Sequence, residues 1–168
     1  MSSQAEREDL LETLAKHRGF LCQTVRGLSD ADAARRTTVS ELCLGGLIKH
    51  VTLVEQNWAD FIRNGPREFD VSDPATFETH AASFRMNEGE TLAGLLERYQ
   101  EAAEATDELV RTLPSLEASH PLPAAPWFPP GARWTARRTF IHIVAETAQH
   151  AGHADILREA VDGAKTMG

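Results

Sequence analysis

Apolar side chains recur along this chain at three- and four-residue intervals in four separated stretches. No stretch alternates with the period of two that a half-buried strand needs. The first predicted helix opens at a Ser3-x-x-Glu6 capping box and runs to about Gly27; Leu10, Leu14, Leu21 and Leu28 form its stripe, with His17 in the same line. The second spans about Ser40 to Asn64 and stops at Gly65-Pro66. Leu47, Val51, Val54, Trp58 and Phe61 face inward, and His50 sits at the edge of that stripe. The third begins near Asn87-x-x-Glu90 and ends before Pro114, carrying Leu92, Leu95, Leu96, Tyr99, Ala103, Leu109 and Val110. The fourth runs from about Thr135 to Asp162 and stops at Gly163.

Two long connections separate these helices. Residues 65–87 are mixed polar, with room for a short turn of helix around Thr76 to Phe84. Residues 113–134 hold six prolines and two tryptophans, too many helix breakers for a continuous helix. Trp127, Phe128 and Trp134 in that loop fit either a wall of a ligand site or a cap on one end of the helices. The expected fold is all-α: one domain over residues 1–168, a four-helix bundle with long connections between helices two and three and between three and four.

The charge pattern narrows the partners. A formal net charge of −8 argues against a nucleic-acid groove, which needs clustered Lys and Arg. Cys22 and Cys43 form no CxxC pattern and read as small buried apolar thiols. The first ten residues are charged and no apolar run approaches ~18 residues, so the expectation is a cytoplasmic protein without signal peptide or membrane span.

One stretch carries candidate chemistry: His142-Ile-Val-Ala-Glu146-Thr-Ala-Gln-His150-Ala-Gly-His153. At ~100° per residue, Glu146, His150 and His153 fall within ~60° of one another, with His142 on the same side. Ile143 and Leu157 bound this stripe, so Glu146 and His150 turn toward the interior. A buried carboxylate without a partner costs several kcal/mol, and a divalent cation removes that cost while satisfying imidazole lone pairs. An exposed polar face that merely contains histidines is the bland alternative. Taken with His50, a His, Glu, His set leaves one coordination position open, as catalytic sites do. Imidazole plus carboxylate suits Zn²⁺ best, with Ni²⁺ or Fe²⁺ as alternatives. His142 and His153 are left over: either could replace a primary ligand, or take a supporting, substrate-contacting or proton-moving role. His17 and Tyr99 read as packed core positions, and His80 and His120 are assigned no chemistry.

Two segments carry a resemblance. Val39-Ser-Glu-Leu-Cys-Leu-Gly-Gly-Leu-Ile-Lys-His50 and Glu146-Thr-Ala-Gln-His150-Ala-Gly-His153-Ala-Asp-Ile-Leu-Arg158-Glu are similar to the two signature helices of the DinB-like superfamily. The chain most resembles the mycothiol S-transferase branch, related to the metal domain of mycothiol-dependent maleylpyruvate isomerase. The resemblance covers nearly the whole chain, including Gly27-Leu-Ser-Asp30. It implies a four-helix bundle with one long crossover and a divalent metal, usually zinc, held by a histidine of helix two and two residues of helix four. Bacillithiol-type relatives use two histidines there at i, i+4; the mycothiol branch uses glutamate and histidine, which Glu146 and His150 match, with His50 as the helix-two ligand. Arg138 stands where close relatives carry an aromatic residue, a departure that bears on the pocket more than on the metal.

The function expected from this resemblance is metal-dependent transfer of a low-molecular-weight thiol such as mycothiol to a small electrophile. His153 and His142 are the candidate catalytic groups, and Trp134 and Arg158 the candidate contacts to the thiol. The same ligands would equally serve a hydrolase using metal-bound water, or a non-catalytic metal- or ligand-binding bundle. A homodimer through one bundle face is compatible with the pattern.

Overall fold

The computed structural model describes residues 4–67 and 74–166. Four long helices carry most of it: α1 (Gln4–Thr24), α3 (Leu44–Asn64), α5 (Leu92–Thr112) and α6 (Ala136–Asp162). Two short helices lie between them, α2 (Asp30–Ala34) and α4 (Pro74–Ser83). A two-stranded antiparallel ribbon, β1 (Ser119–Pro121) and β2 (Arg133–Thr135), precedes α6. The protein is all-α apart from this ribbon. Among the described residues no helix is long and apolar enough to cross a membrane.

Helix ends follow local hydrogen-bonding chemistry. α3 starts at Leu44, four residues after the expected Ser40, because the Ser40 hydroxyl accepts the Leu42 N–H instead. Cys43, in extended backbone, is the cap: its sulfur accepts the Gly46 N–H at 3.4 Å. The expected capping box at Asn87 is half made, since Glu90 accepts the Asn87 N–H at 2.7 Å, but it closes a turn outside the helix. Thr91 caps α5. Thr135 and Gly163 bound α6 where the sequence places them. Ser3 of the first capping box lies outside the described residues; Glu6 accepts a hydrogen bond from Arg137 of α6.

α1 packs on α6, and α3 packs on both α5 and α6. α3 and α6 run antiparallel: His50 meets His150 at one end of their contact, and Trp58 meets His142 nearer the other. One core cluster gathers Leu21, Leu47, Val51, Leu95, Tyr99 and Leu157. A second gathers Leu14, Ile62, Val110, Phe140 and Ile143. Along both α1 and α3 an ion pair falls between them. Arg18 Nη2 lies 2.5 Å from Glu55 Oε1, and its Nη1 lies 2.7 Å from Asp107 Oδ1. Glu55 is fully buried. Arg18, not His17, is therefore the α1 residue that turns inward between Leu14 and Leu21, while His17 is half-buried beside Phe20. Burial opposes the Arg18 charge, and the two carboxylates outweigh it, raising its pKa.

The ribbon, like the five-residue α2, is an element that periodicity does not reveal, since each strand has three residues. His120 pairs with Trp134 across it, and Leu122 N–H reaches Ala132 O at 2.8 Å. Gly65 makes room for it at the end of α3. That glycine has φ +82, and a Cβ there would lie 3.0 Å from the His120 ring.

Candidate metal centre

Three side chains from two helices converge. His50 of α3 and Glu146 and His150 of α6 each offer one ligand atom, and these atoms all lie within 4.8 Å of one another. The α6 pair comes from the i, i+4 spacing, which stacks successive turns on one face. His150 Nε2 is 3.6 Å from Glu146 Oε2. The antiparallel crossing of α3 then brings the His50 ring to 4.8 Å from the His150 ring. His50 and His150 are buried, whereas the Glu146 side chain keeps 28% exposure, so the cluster opens on the Glu146 side.

The orientation of His50 is set by α4. Its Nδ1 lies 2.9 Å from Ser83 Oγ, and the Ser83 hydroxyl donates to His80 O at 2.6 Å. A hydroxyl has one proton to give, so toward His50 the serine accepts. Nδ1 therefore carries the hydrogen, and the Nε2 lone pair is left for a ligand. Phe84 stacks on the same imidazole at 3.8 Å and 21°. Gly46 permits this approach: a Cβ there would sit 1.9 Å from Phe84 O.

Glu146 is a bridge between histidines. His142 Nε2 lies 3.4 Å from Oε1 on the side away from His150. The His150 contact first, then the neighbouring imidazoles, hold the Glu146 carboxyl below its ordinary pKa against the effect of burial. Burial, reinforced by the His150 and His80 charges, lowers the His50 pKa from 6.5 to about 4. Burial also lowers that of His142, with Arg138 adding to the effect and Glu146 opposing it. Both imidazoles are thus neutral near pH 7, the form that binds a cation.

The remaining predicted residues divide. His153 is exposed, with its Nδ1 3.5 Å from His150 Nδ1. Trp134 is brought to the cluster's edge. It stacks on Trp58 at 4.9 Å, meets His142 edge-on at 4.9 Å, and carries the Arg138 guanidinium 4.3 Å above its ring. Arg158 is not brought there. It donates to Thr24 O at 2.9 Å, Arg26 O at 3.0 Å and Asp162 Oδ1 at 2.9 Å, tying the end of α6 to the end of α1. Three residues that sequence reasoning passed over belong to the site: Ser83, Phe84 and His80, the last with its ring 5.4 Å from His50. The only signal for them is the glycine pair before His50, which marks a close backbone approach without naming what approaches.

Residues 9–163 match the mycothiol-S-transferase family. The chain belongs to that family. Among curated proteins none matches the sequence. Two solved structures share the fold with this mycothiol-S-transferase family member. One is a conserved protein of Enterococcus faecalis, at TM-score 0.69 and 13% identity, covering 94% of this chain and 97% of that one. The other is a Streptococcus pneumoniae protein solved by structural genomics, at TM-score 0.62 and 16% identity, covering 92% and 87%. At such identities they speak for the shared, mostly helical fold alone.

Proposed function

We propose that this protein is a metal-dependent thiol S-transferase that joins mycothiol to a small electrophile. The four long helices act as a four-helix bundle that carries the centre. The observation that carries the reading is the convergence of His50, Glu146 and His150, with the His50 lone pair already turned inward by Ser83. Two imidazoles and one carboxylate suit zinc, and three protein ligands leave a coordination position for a sulfur. A divalent ion bound there supplies a thiolate at neutral pH, where a free thiol of pKa ~8.5 is only a few per cent ionised, a gain of roughly 30-fold.

This chain's own side chains do the rest. His153 Nδ1 accepts the hydrogen bond that His150 donates from Nδ1–H, which leaves His150 Nε2 for a cation. His142, neutral through burial and 4.9 Å from the Trp134 ring, takes up the proton released by the thiol. Trp58 and Trp134 exclude water on the open side of Glu146. The sulfur forms a bond to the electrophilic carbon. A leaving group departs with its electron pair, or in an addition the adjacent carbon takes a proton back from His142.

The test is conjugation by purified zinc-loaded protein given mycothiol and a reporter electrophile. The expected result is a rate above that of the thiol alone, lost in His50→Ala and His150→Ala together with the metal. A rate equal to the uncatalysed one overturns the reading.

A further inference from the structure

The centre lies beside a cleft whose walls say something about the electrophile. A cavity of about 490 Å³ opens between α3, α4 and the loop after β1, within the size range of small-molecule sites. Trp58, Phe61, Trp127 and Phe128 line it, with Pro123 between the two walls. Trp127 and Phe128 meet at 6.2 Å, and Phe128 meets Trp134 edge-on at 5.8 Å. Two residues of the cleft touch the centre itself. The Trp58 ring is 4.8 Å from His142, and the His80 ring is 5.4 Å from His50. Among the described residues, the charges at its rim, Arg67 and Asp60, satisfy each other at 2.8 Å.

We infer that this cleft is the electrophile subsite and that it selects uncharged aromatic electrophiles. The inference rests on the thiol-transfer reading for its chemistry, but not for binding. Faces and edges of four aromatic rings favour a flat π-system over an aliphatic chain, because offset-stacked and edge-on ring pairs gain more than their area burial alone. With that pair closed on itself, the described lining leaves a carboxylate or ammonium ligand uncompensated. For a chloronitroarene the balance is simple. The C–S bond forms, the C–Cl bond breaks with chloride taking the electron pair, and the thiol proton passes through His142 to solvent.

The experiment separates binding from turnover. Calorimetry with 2,4-dinitrotoluene, an unreactive neutral arene, is run on the zinc-loaded protein and on Trp127→Ala and Phe128→Ala. Trp127 is 56% exposed, so its truncation spares the core. Saturable binding to the parent is expected, weakened about fivefold or more in each variant, with zinc content intact. Turnover is read as the ratio of kcat/KM for 1-chloro-2,4-dinitrobenzene over iodoacetamide, and that ratio falls by a similar factor in the variants. Absence of arene binding to the parent, or equal binding by all three proteins, overturns the inference. Failure of mycothiol to react with either electrophile overturns the thiol-transfer reading, while calorimetry still decides the cleft.

Discussion

At the scale of single residues, the proposed centre depends on one hydroxyl as much as on the three side chains that would hold the metal. Ser83 receives the His50 Nδ1–H because its own proton is committed to His80 O. Ser83→Ala should therefore weaken zinc affinity by about 10- to 100-fold without unfolding the protein. Competition against a chromophoric chelator measures this, and Ser83→Thr, which keeps the hydroxyl, should restore it. Titration of His50 gives a second expectation. Its pKa falls from 6.5 to about 4 on folding, so below pH 6.5 the unfolded chain binds a proton that the folded metal-free protein refuses. Stability should be unaffected above pH 6.5 and decline as pH drops toward 4, by up to about 3 kcal/mol. Urea denaturation of the apo protein at pH 7 and pH 4.5, compared with His50→Ala, isolates this contribution. At this scale much was legible from sequence: Glu146 and His150 follow from helical spacing alone. Ser83 and Phe84 were not, because they meet His50 across a tertiary contact that has no fixed offset in the chain.

At the scale of elements, the glycine before the ligand helix's second turn carries a consequence larger than its size. Gly46 lets the backbone of Phe84 lie against α3, and the Cys43 cap is aimed at the same carbonyl, Sγ to Phe84 O at 3.8 Å. Gly46→Ala gains helix propensity of about 1 kcal/mol in principle. Here it should cost stability instead, because the clash is with backbone, and it should loosen the metal by displacing Ser83. Thermal unfolding with and without zinc checks both halves: a lower Tm in each state and a smaller zinc-induced shift. The four long helices were readable from the 3.6-residue period, and α6 almost to the residue, since Thr135 and Gly163 are strong stops. The start of α3 is less legible because the cap is a thiol, a rare one, and a serine three positions earlier advertises itself. The β1–β2 ribbon is too short for any period to register.

At the scale of the molecule, the ion cluster of Arg18, Glu55 and Asp107 joins α1, α3 and α5 between two apolar cores. Removing one partner leaves Glu55 charged and fully buried. Arg18→Met should cost about 3–5 kcal/mol in denaturant unfolding, whereas the double variant Arg18→Met with Glu55→Leu should recover most of that loss. Equal stability of the single variant and the parent would remove the cluster's role. The helical repeat pointed to His17 at this level of the core, because an arginine is not expected inside. Only the partners contributed by α3 and α5 make Arg18 the inward residue.

The indole pair of Trp58 and Trp134, parallel to within 23° with His142 edge-on to both, also makes the molecule its own optical gauge. An ion with a closed d-shell held by Glu146 leaves the ultraviolet emission of these rings bright, whereas nickel or ferrous iron, with partly filled d-shells, drains it. Whether a cation bound at the proposed centre has a filled or an open d-shell is thereby read in the native emission, with no dye or label attached.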